Sequence, residues 1–228
     1  MIKPNMTNEE VFALYPEYSI SIDKLKVEDY STPDDFEHRV DPHSSMAIYS
    51  FLKEYKPTNC LQIGCWEGGT TGVIMAALKK NDLPFRFVAS ELLADKMIHT
   101  AQHTQREYGM QPEMVGDITT SLPDDLKEID FLYHDTDHDL ETTDWVVKNV
   151  FPRLKDGALV IFHDWAVIEK DGKWIAKDGE WGETSYLIDM HENCNLPLEK
   201  VYWNYGNPDR WETGVFLYNK SITNRRRK

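Results

Sequence analysis

Two short clusters in this sequence hold the residue types that do chemistry: Asp135-Thr136-Asp137-His138 and His163-Asp164. Carboxylates and imidazoles brought together from two loops are donors for a hard or borderline divalent cation. Mg²⁺ keeps several waters and takes carboxylates, whereas Mn²⁺ also accepts imidazole nitrogen. Asp135, His163 and Asp164 are therefore the candidate metal ligands. A cation held there would lower the pKa of a bound substrate hydroxyl. His138, with an ordinary pKa of about 6.5, is the candidate general base beside Asp135. The plainer reading of the same residues is that Asp135 caps a helix or touches a cofactor while His163 and Asp164 are ordinary loop polars.

A second chemical feature is the run Leu61-Gln62-Ile63-Gly64-Cys65-Trp66-Glu67-Gly68-Gly69-Thr70-Thr71. An apolar strand ends on Gly64, glycines carry a loop, and a helix starts at the threonines. Glycine lets the backbone turn sharply and lets a ligand lie directly on it, and the helix N-terminus offers free N–H groups. Gly64, Cys65, Gly68, Gly69 and Thr70 are candidate cofactor contacts. The spacing is neither the G-x-G-x-x-G dinucleotide fingerprint nor a P-loop. Two further residues narrow the ligand. Glu91, after the next strand, can accept from both hydroxyls of a ribose. Asp117, after the third, can accept from an adenine amino group while Ile118 packs on the ring, although Asp117 would serve equally as a helix N-cap. Three such elements at successive strand ends point to an adenosine-bearing cofactor.

The elements that must position these residues alternate. Strands are expected at Asn59–Gly64, Phe85–Ser90, Pro112–Val115, Ile129–His134 and Gly157–His163. Helices are expected from Asp41-Pro42 to Pro57, and over Thr70–Lys80, Leu93–Tyr108 and Leu140–Leu154. Such alternation implies a doubly wound, mostly parallel sheet covered on both faces. Glu199–Tyr205 and Thr213–Asn219 then follow one another without a helix, joined through Gly206-Asn207-Pro208-Asp209, so the sheet should finish with a reversed strand. The near-repeat Lys170-Asp171-Gly172-Lys173-Trp174 and Lys177-Asp178-Gly179-Glu180-Trp181 predicts a hairpin-like flap at about 166–182. It reads either as a cover over the substrate or as a surface hairpin. Trp165, Trp174, Trp181 and Trp203 are candidates for a substrate wall, with core packing as the alternative. Residues 1–40 read as a polar N-terminal extension with one short helix near Asn8–Leu14.

Composition removes other classes. The net charge of −14, from 25 basic and 39 acidic residues, disfavours a nucleic acid partner. The basic end Asn224–Lys228 reads as a solvated terminus. No apolar run approaches a membrane span and no signal peptide opens the chain, so the expected location is the cytoplasm. Cys60, Cys65 and Cys194 form no CxxC pair and read as small buried apolar residues. His99 and His103, at i and i+4, read as an exposed helix face, and His38 and His43 carry no firm signal.

Taken in order, IGCWEGGTT, SE, GD and DFLYHDTDHDLETTDWVVKNVFPRLKDGALVIFHDW resemble the class I S-adenosylmethionine-dependent methyltransferases over about Thr58 to Trp165. The likeness is greatest to the bacterial metal-dependent O-methyltransferase group that includes macrolide-sugar methyltransferases and cephalosporin-hydroxylase-like proteins. The resemblance implies a Rossmann-like α/β fold with a seven-stranded sheet and a reversed last strand, occupying 41–228. It implies that the glycine loop holds the methionine end of the cofactor and that Glu91 holds its ribose; Asp135, read from its own cluster, is a candidate contact to cofactor as well as metal. The implied reaction is methylation of a hydroxyl on a small molecule or sugar, in a protein that self-associates. Three departures stand out: Gln62 replaces a usually acidic residue, Trp66 fills a position that is often small or polar, and Asp156-Gly157-Ala158 replaces a Pro-Gly-Gly-like turn. Two other readings compete, a cofactor-binding but inactive regulatory protein and a metal-dependent hydrolase using the Asp/His cluster alone.

Overall fold

In the computed structural model, the described residues are 42–165, 167–171, 173–176, 182–193, 196–203 and 213–221, with 10, 13 and 14. The N-terminal extension and its predicted helix, His38, Trp181, Cys194, the 206–209 turn and the basic end lie almost wholly outside them.

Helix α1 (Pro42–Tyr55) opens with proline at its first position, where the missing N–H costs nothing. Strand β1 (Asn59–Ile63) and helix α2 (Gly69–Asn81) flank the glycine loop. Next come β2 (Arg86–Ser90), α3 (Ala94–Tyr108), β3 (Glu113–Val115), the one-turn helix α4 (Ile118–Ser121) and β4 (Ile129–His134). Helix α5 (Leu140–Asn149) gives way to a 3₁₀ turn at Phe151–Arg153, and β5 runs Leu154–Phe162. The expected helix to Leu154 stops early because Pro152 cannot continue the α-helical hydrogen bonding. The chain then forms β6 (Val167–Lys170), β7 (Lys173–Ala176), α6 (Gly182–Glu192), β8 (Leu198–Trp203) and β9 (Gly214–Tyr218).

Seven strands make one sheet in the order β3-β2-β1-β4-β5-β9-β8. The first five are parallel; β9 runs antiparallel to both β5 and β8. The reversed strand is thus the last in the chain but not at the sheet's edge. Crossover helices cover both faces, and side chains alternate into two cores. Cys60, Phe131, Tyr133 and Ile161 face α1 and α2, while Leu61, Leu132, Val160 and Phe162 face α5 and α6. Each large apolar side chain buried this way contributes about 1.5–3 kcal/mol.

Strands β6 and β7 form the expected hairpin, with Lys170 opposite Lys173 and Asp171 at φ 54, as a tight primed turn requires. Its described tryptophan does not wall a cavity. Trp174 stacks on His191 at 4.0 Å between ring centroids and meets Trp165 edge-on, and Trp165 is fully buried against Phe162 and Phe216. For these two residues core packing replaces the substrate-wall expectation. His103 is likewise buried rather than exposed, and burial lowers its pKa. No helix among the described residues is long and apolar enough to cross a membrane.

Candidate active site

The parallel register lines up the chemical residues. Beyond the strand ends the ladder continues for one more hydrogen bond per strand: Gly64 N to Ser90 O, Glu91 N to Val115 O, Asp135 N to Ile63 O and His163 N to His134 O, all 2.9–3.1 Å. Gly64, Glu91, Asp135 and His163 therefore stand side by side on the carboxyl edge of the sheet, where open α/β sheets bind ligands. One cavity of about 720 Å³ opens there. Its wall includes Gly64, Cys65, Gly69, Thr70, Glu91, Asp117, Ile118, Asp135, His163 and Asp164, so most of the sequence-derived candidates share one space.

The glycine loop is shaped by close contact. Gly64 has φ +82, and a Cβ there would sit 1.5 Å from the carbonyl oxygen of Asp135. Only glycine allows β1 and β4 to release their loops so close together. Gly68, the N-cap of α2 at φ 87, packs against Thr100 instead of lining the cavity. Glu91 is buried, and its carboxylate accepts from the backbone N–H groups of Cys65 (3.1 Å), Trp66 (2.6 Å) and Leu93 (3.0 Å). It ties the loop to the end of β2, a role that its position in the sequence did not suggest. Gln62, also buried, donates to Gly64 O at 2.9 Å. Asp117 caps α4 by accepting from Thr119 N (2.8 Å) and Oγ1 (2.7 Å), as the alternative reading had it, and still lines the cavity. Burial drives the Cys65 thiol far above the thiolate range, so it behaves as a small apolar group.

The other end of the cavity is built from side chains. His163 Nδ1 lies 3.0 Å from Asp164 Oδ1 and 3.4 Å from Asp135 Oδ1. His138 Nε2 faces Asp164 Oδ2 at 3.1 Å and its Nδ1 faces Glu183 Oε2 at 2.7 Å. The second oxygen of Glu183 lies 3.1 Å from Nδ1 of the buried His134. His138 and Asp164 both adopt left-handed backbone (φ 56 and 51), which turns their side chains toward each other. Such conformations cost about 1–3 kcal/mol and collect at sites where geometry matters.

Two outcomes differ from the sequence-based expectations. The first concerns His138, expected as a general base. Burial opposes its charge, but hydrogen bonds to Asp164 and Glu183 outweigh that and raise its pKa to about 10. Without a cation it is an imidazolium at neutral pH, with no lone pair for a substrate proton, and it is not part of the cavity wall. The second concerns the metal set. Ligand atoms of Asp135, His138 and Asp164 all lie within 4.8 Å of one another, a grouping that contains His138 where His163 was expected. Glu183 was missed altogether, because helix α6 was not foreseen. The available signal was Leu187, Ile188 and Met190 at helical spacing behind Gly182.

Residues 61–165 match the family model described as "Methyltransferase domain". The fold agrees across nearly the whole chain. A cofactor-bound protein from MTB, Rv0187, superposes with a TM-score of 0.63 at 16% identity, covering 89% of this chain and 96% of that one. This chain has the fold of the class I S-adenosylmethionine-dependent methyltransferases. An O-methyltransferase from Bacillus cereus in complex with SAH gives a TM-score of 0.60 at 13% identity, covering 92% and 90%. The O-methyltransferase TomG from Streptomyces achromogenes, in complex with SAM, gives 0.58 at 15%, covering 96% and 92%. No curated protein matches the sequence. In this methyltransferase fold the glycine loop and the acidic strand ends are contiguous, and the carboxylate–imidazole cluster adjoins them.

Proposed function

We propose that this chain transfers the methyl group of S-adenosylmethionine to a hydroxyl oxygen on a small molecule or sugar. The observation that carries this reading is the single cavity joining the glycine loop to the Asp135–His163–Asp164 cluster. Methyl transfer is an in-line displacement, so the protein must mainly position two partners and exclude water. The glycine loop and Thr70 take the methionine end, Glu91 the ribose through the acceptor capacity left beyond its backbone contacts, and Asp117 and Ile118 the adenine. Charge supports the cofactor choice. Glu67, Glu91, Asp117, Asp135, Asp137, Asp139, Glu141 and Asp164 all line the cavity. That wall attracts a sulfonium and an ammonium and repels a pyrophosphate. By the same argument the acceptor is neutral or cationic.

The donor set fits a divalent cation: two carboxylates and an imidazole whose far nitrogen is already held by a carboxylate. Asp135, His138 and Asp164 would hold it, with Mn²⁺ suiting the imidazole better than Mg²⁺. When bound it would lower the pKa of the acceptor hydroxyl. Asp135, on the cavity wall, accepts the O–H of that hydroxyl and takes its proton as the oxygen–methyl bond forms and the sulfur–methyl bond breaks, with S-adenosylhomocysteine leaving. His163 stands beside both carboxylates and completes the wall.

Calorimetry with S-adenosylhomocysteine tests the core of this reading, and absence of binding at high micromolar concentration would sink it. Methyl transfer to a library of hydroxyl acceptors should then fall on addition of EDTA and recover with Mn²⁺. Activity indifferent to chelation removes the cation and leaves the methyl transfer.

A further inference from the structure

Helix α6 reaches the site with a single buried residue that the reaction itself does not call for. Glu183, in its first turn, is 5% exposed, yet both its oxygens meet imidazole nitrogens: Oε1 lies 3.1 Å from Nδ1 of His134 and Oε2 lies 2.7 Å from Nδ1 of His138. An ionised carboxylate only accepts, so each of those Nδ1 atoms carries the hydrogen. His134 is itself immobilised on β4, buried and tilted against Phe162 at 5.6 Å. Its other nitrogen, Nε2, is buried and meets no hydrogen-bond partner among the described residues, so Glu183 is the polar contact that the ring makes there.

We propose that Glu183 is a positioning residue for the active site: it fixes the ring of His138 so that Nε2 is the nitrogen turned toward Asp164 and Asp135. The left-handed backbone of His138 brings its ring into this slot from the loop after β4, and α6 supplies the anchor from the other side. Two oxygens serving two donors make the carboxylate specific. A glutamine keeps the shape but replaces one acceptor with an NH₂ donor, which must confront one of the two N–H groups. An aspartate keeps the chemistry and shortens the reach by one methylene. The segment between β5 and β8, which carries hairpin and α6, therefore contributes directly to the reacting centre, although it lies outside the matched residues 61–165. The consequence for cation binding rests on the proposed function; the orientation of His138 does not.

The first measurement uses the metal-free wild-type chain. Long-range ¹H–¹⁵N correlations of the His138 ring should show a hydrogen-bonded, slowly exchanging proton on Nδ1. A ring protonated on Nε2 alone overturns the proposal. The second compares Mn²⁺ affinity, read by electron paramagnetic resonance, across variants. Glu183→Gln should bind Mn²⁺ roughly 10–100-fold more weakly, the range seen when an outer-shell partner of a ligating histidine is removed. Glu183→Asp should recover most of that loss. S-adenosylhomocysteine affinity should stay within about twofold in both, because Glu183 is not in the cavity wall, and this reports that the variants are folded. Mn²⁺ affinity of Glu183→Gln equal to wild type overturns the positioning role. If wild type binds no Mn²⁺, the cation leaves the proposed function, and the ring-proton measurement alone decides for or against Glu183.

Discussion

The two ends of the cavity are made of different material. At the ends of β1 to β3, the side proposed for the cofactor, it is backbone: glycines at positive φ, N–H groups, and Glu91 gathering three of them. At the ends of β4 and β5, the side proposed for the reaction, it is a chain of side chains, from Asp135 through His163, Asp164 and His138 to Glu183 and His134. A backbone-built site tolerates change in side chains but not in backbone conformation. A side-chain-built site behaves in the opposite way, and its charges make it sensitive to pH and chelation.

The sharpest way to break this contrast is Gly64→Ala. The added Cβ would occupy the Asp135 carbonyl and the residue would keep a left-handed φ. The expected loss is roughly 2–5 kcal/mol of stability, the sum of backbone strain and overpacking. S-adenosylhomocysteine binding should disappear from calorimetry. Gly157→Ala is the control: φ is +81 but nothing lies within 4 Å, so only the strain, about 1 kcal/mol, should register in denaturant melts. Equal losses at the two glycines would show that close approach does not shape the loop.

Glu91→Ala is the next largest test, since it strands three backbone donors. Charge-assisted bonds of this kind contribute about 1.5–3 kcal/mol each, partly recovered by water. A net loss of about 3 kcal/mol in urea is expected, with cofactor affinity reduced at least tenfold. A variant that loses affinity with unchanged stability would mean Glu91 acts on the ligand alone.

The pH profile sharpens the side-chain end. Burial and then the hydrogen bonds of Asp164 and Glu183 leave His138 with a pKa of about 10. A raised folded value contributes stability that is complete below the ordinary 6.5 and lost as pH climbs through about 10. Asp164 and Glu183 are each depressed to about 2 against burial, chiefly by their histidine neighbours, so their share is present above about 4.5 and lost as pH falls toward 2. Metal-free protein should thus melt highest near pH 5–6.5 and decline on both sides. Replacing His138 with Asn should flatten the alkaline decline; a profile identical to wild type would detach the cluster from stability.

The smallest effect belongs to the rim. Lys96 pairs with Glu67 and lies 4.6 Å from the Trp66 ring centroid. The pair is partly buried, and near-surface pairs and cation–π contacts contribute about 0.5–1 kcal/mol, so Lys96→Ala should shift the melting temperature slightly and cofactor affinity less than threefold. A larger loss of affinity would show that Lys96 fixes the part of the cavity wall made by Trp66 and Glu67.

Much of this was legible in one dimension because its causes are local. Strand–helix alternation, glycine after β1 and an acidic residue after β2 are set within a few residues of chain, and they determined the parallel sheet, its reversed last strand and the position of the cavity. The cysteines read as inert apolar residues, and the described ones, Cys60 and Cys65, are buried and free. What the tertiary structure alone decided is who meets whom. Glu91 reaches back 26 residues to the loop, His138 and Glu183 meet across 45, and Trp165 and Trp174 turn into the core. Such contacts depend on how α6 and the hairpin pack on the sheet. Those contacts then set the charge: the same imidazole that spacing suggested as a base becomes, between two carboxylates that outweigh its burial, a cation.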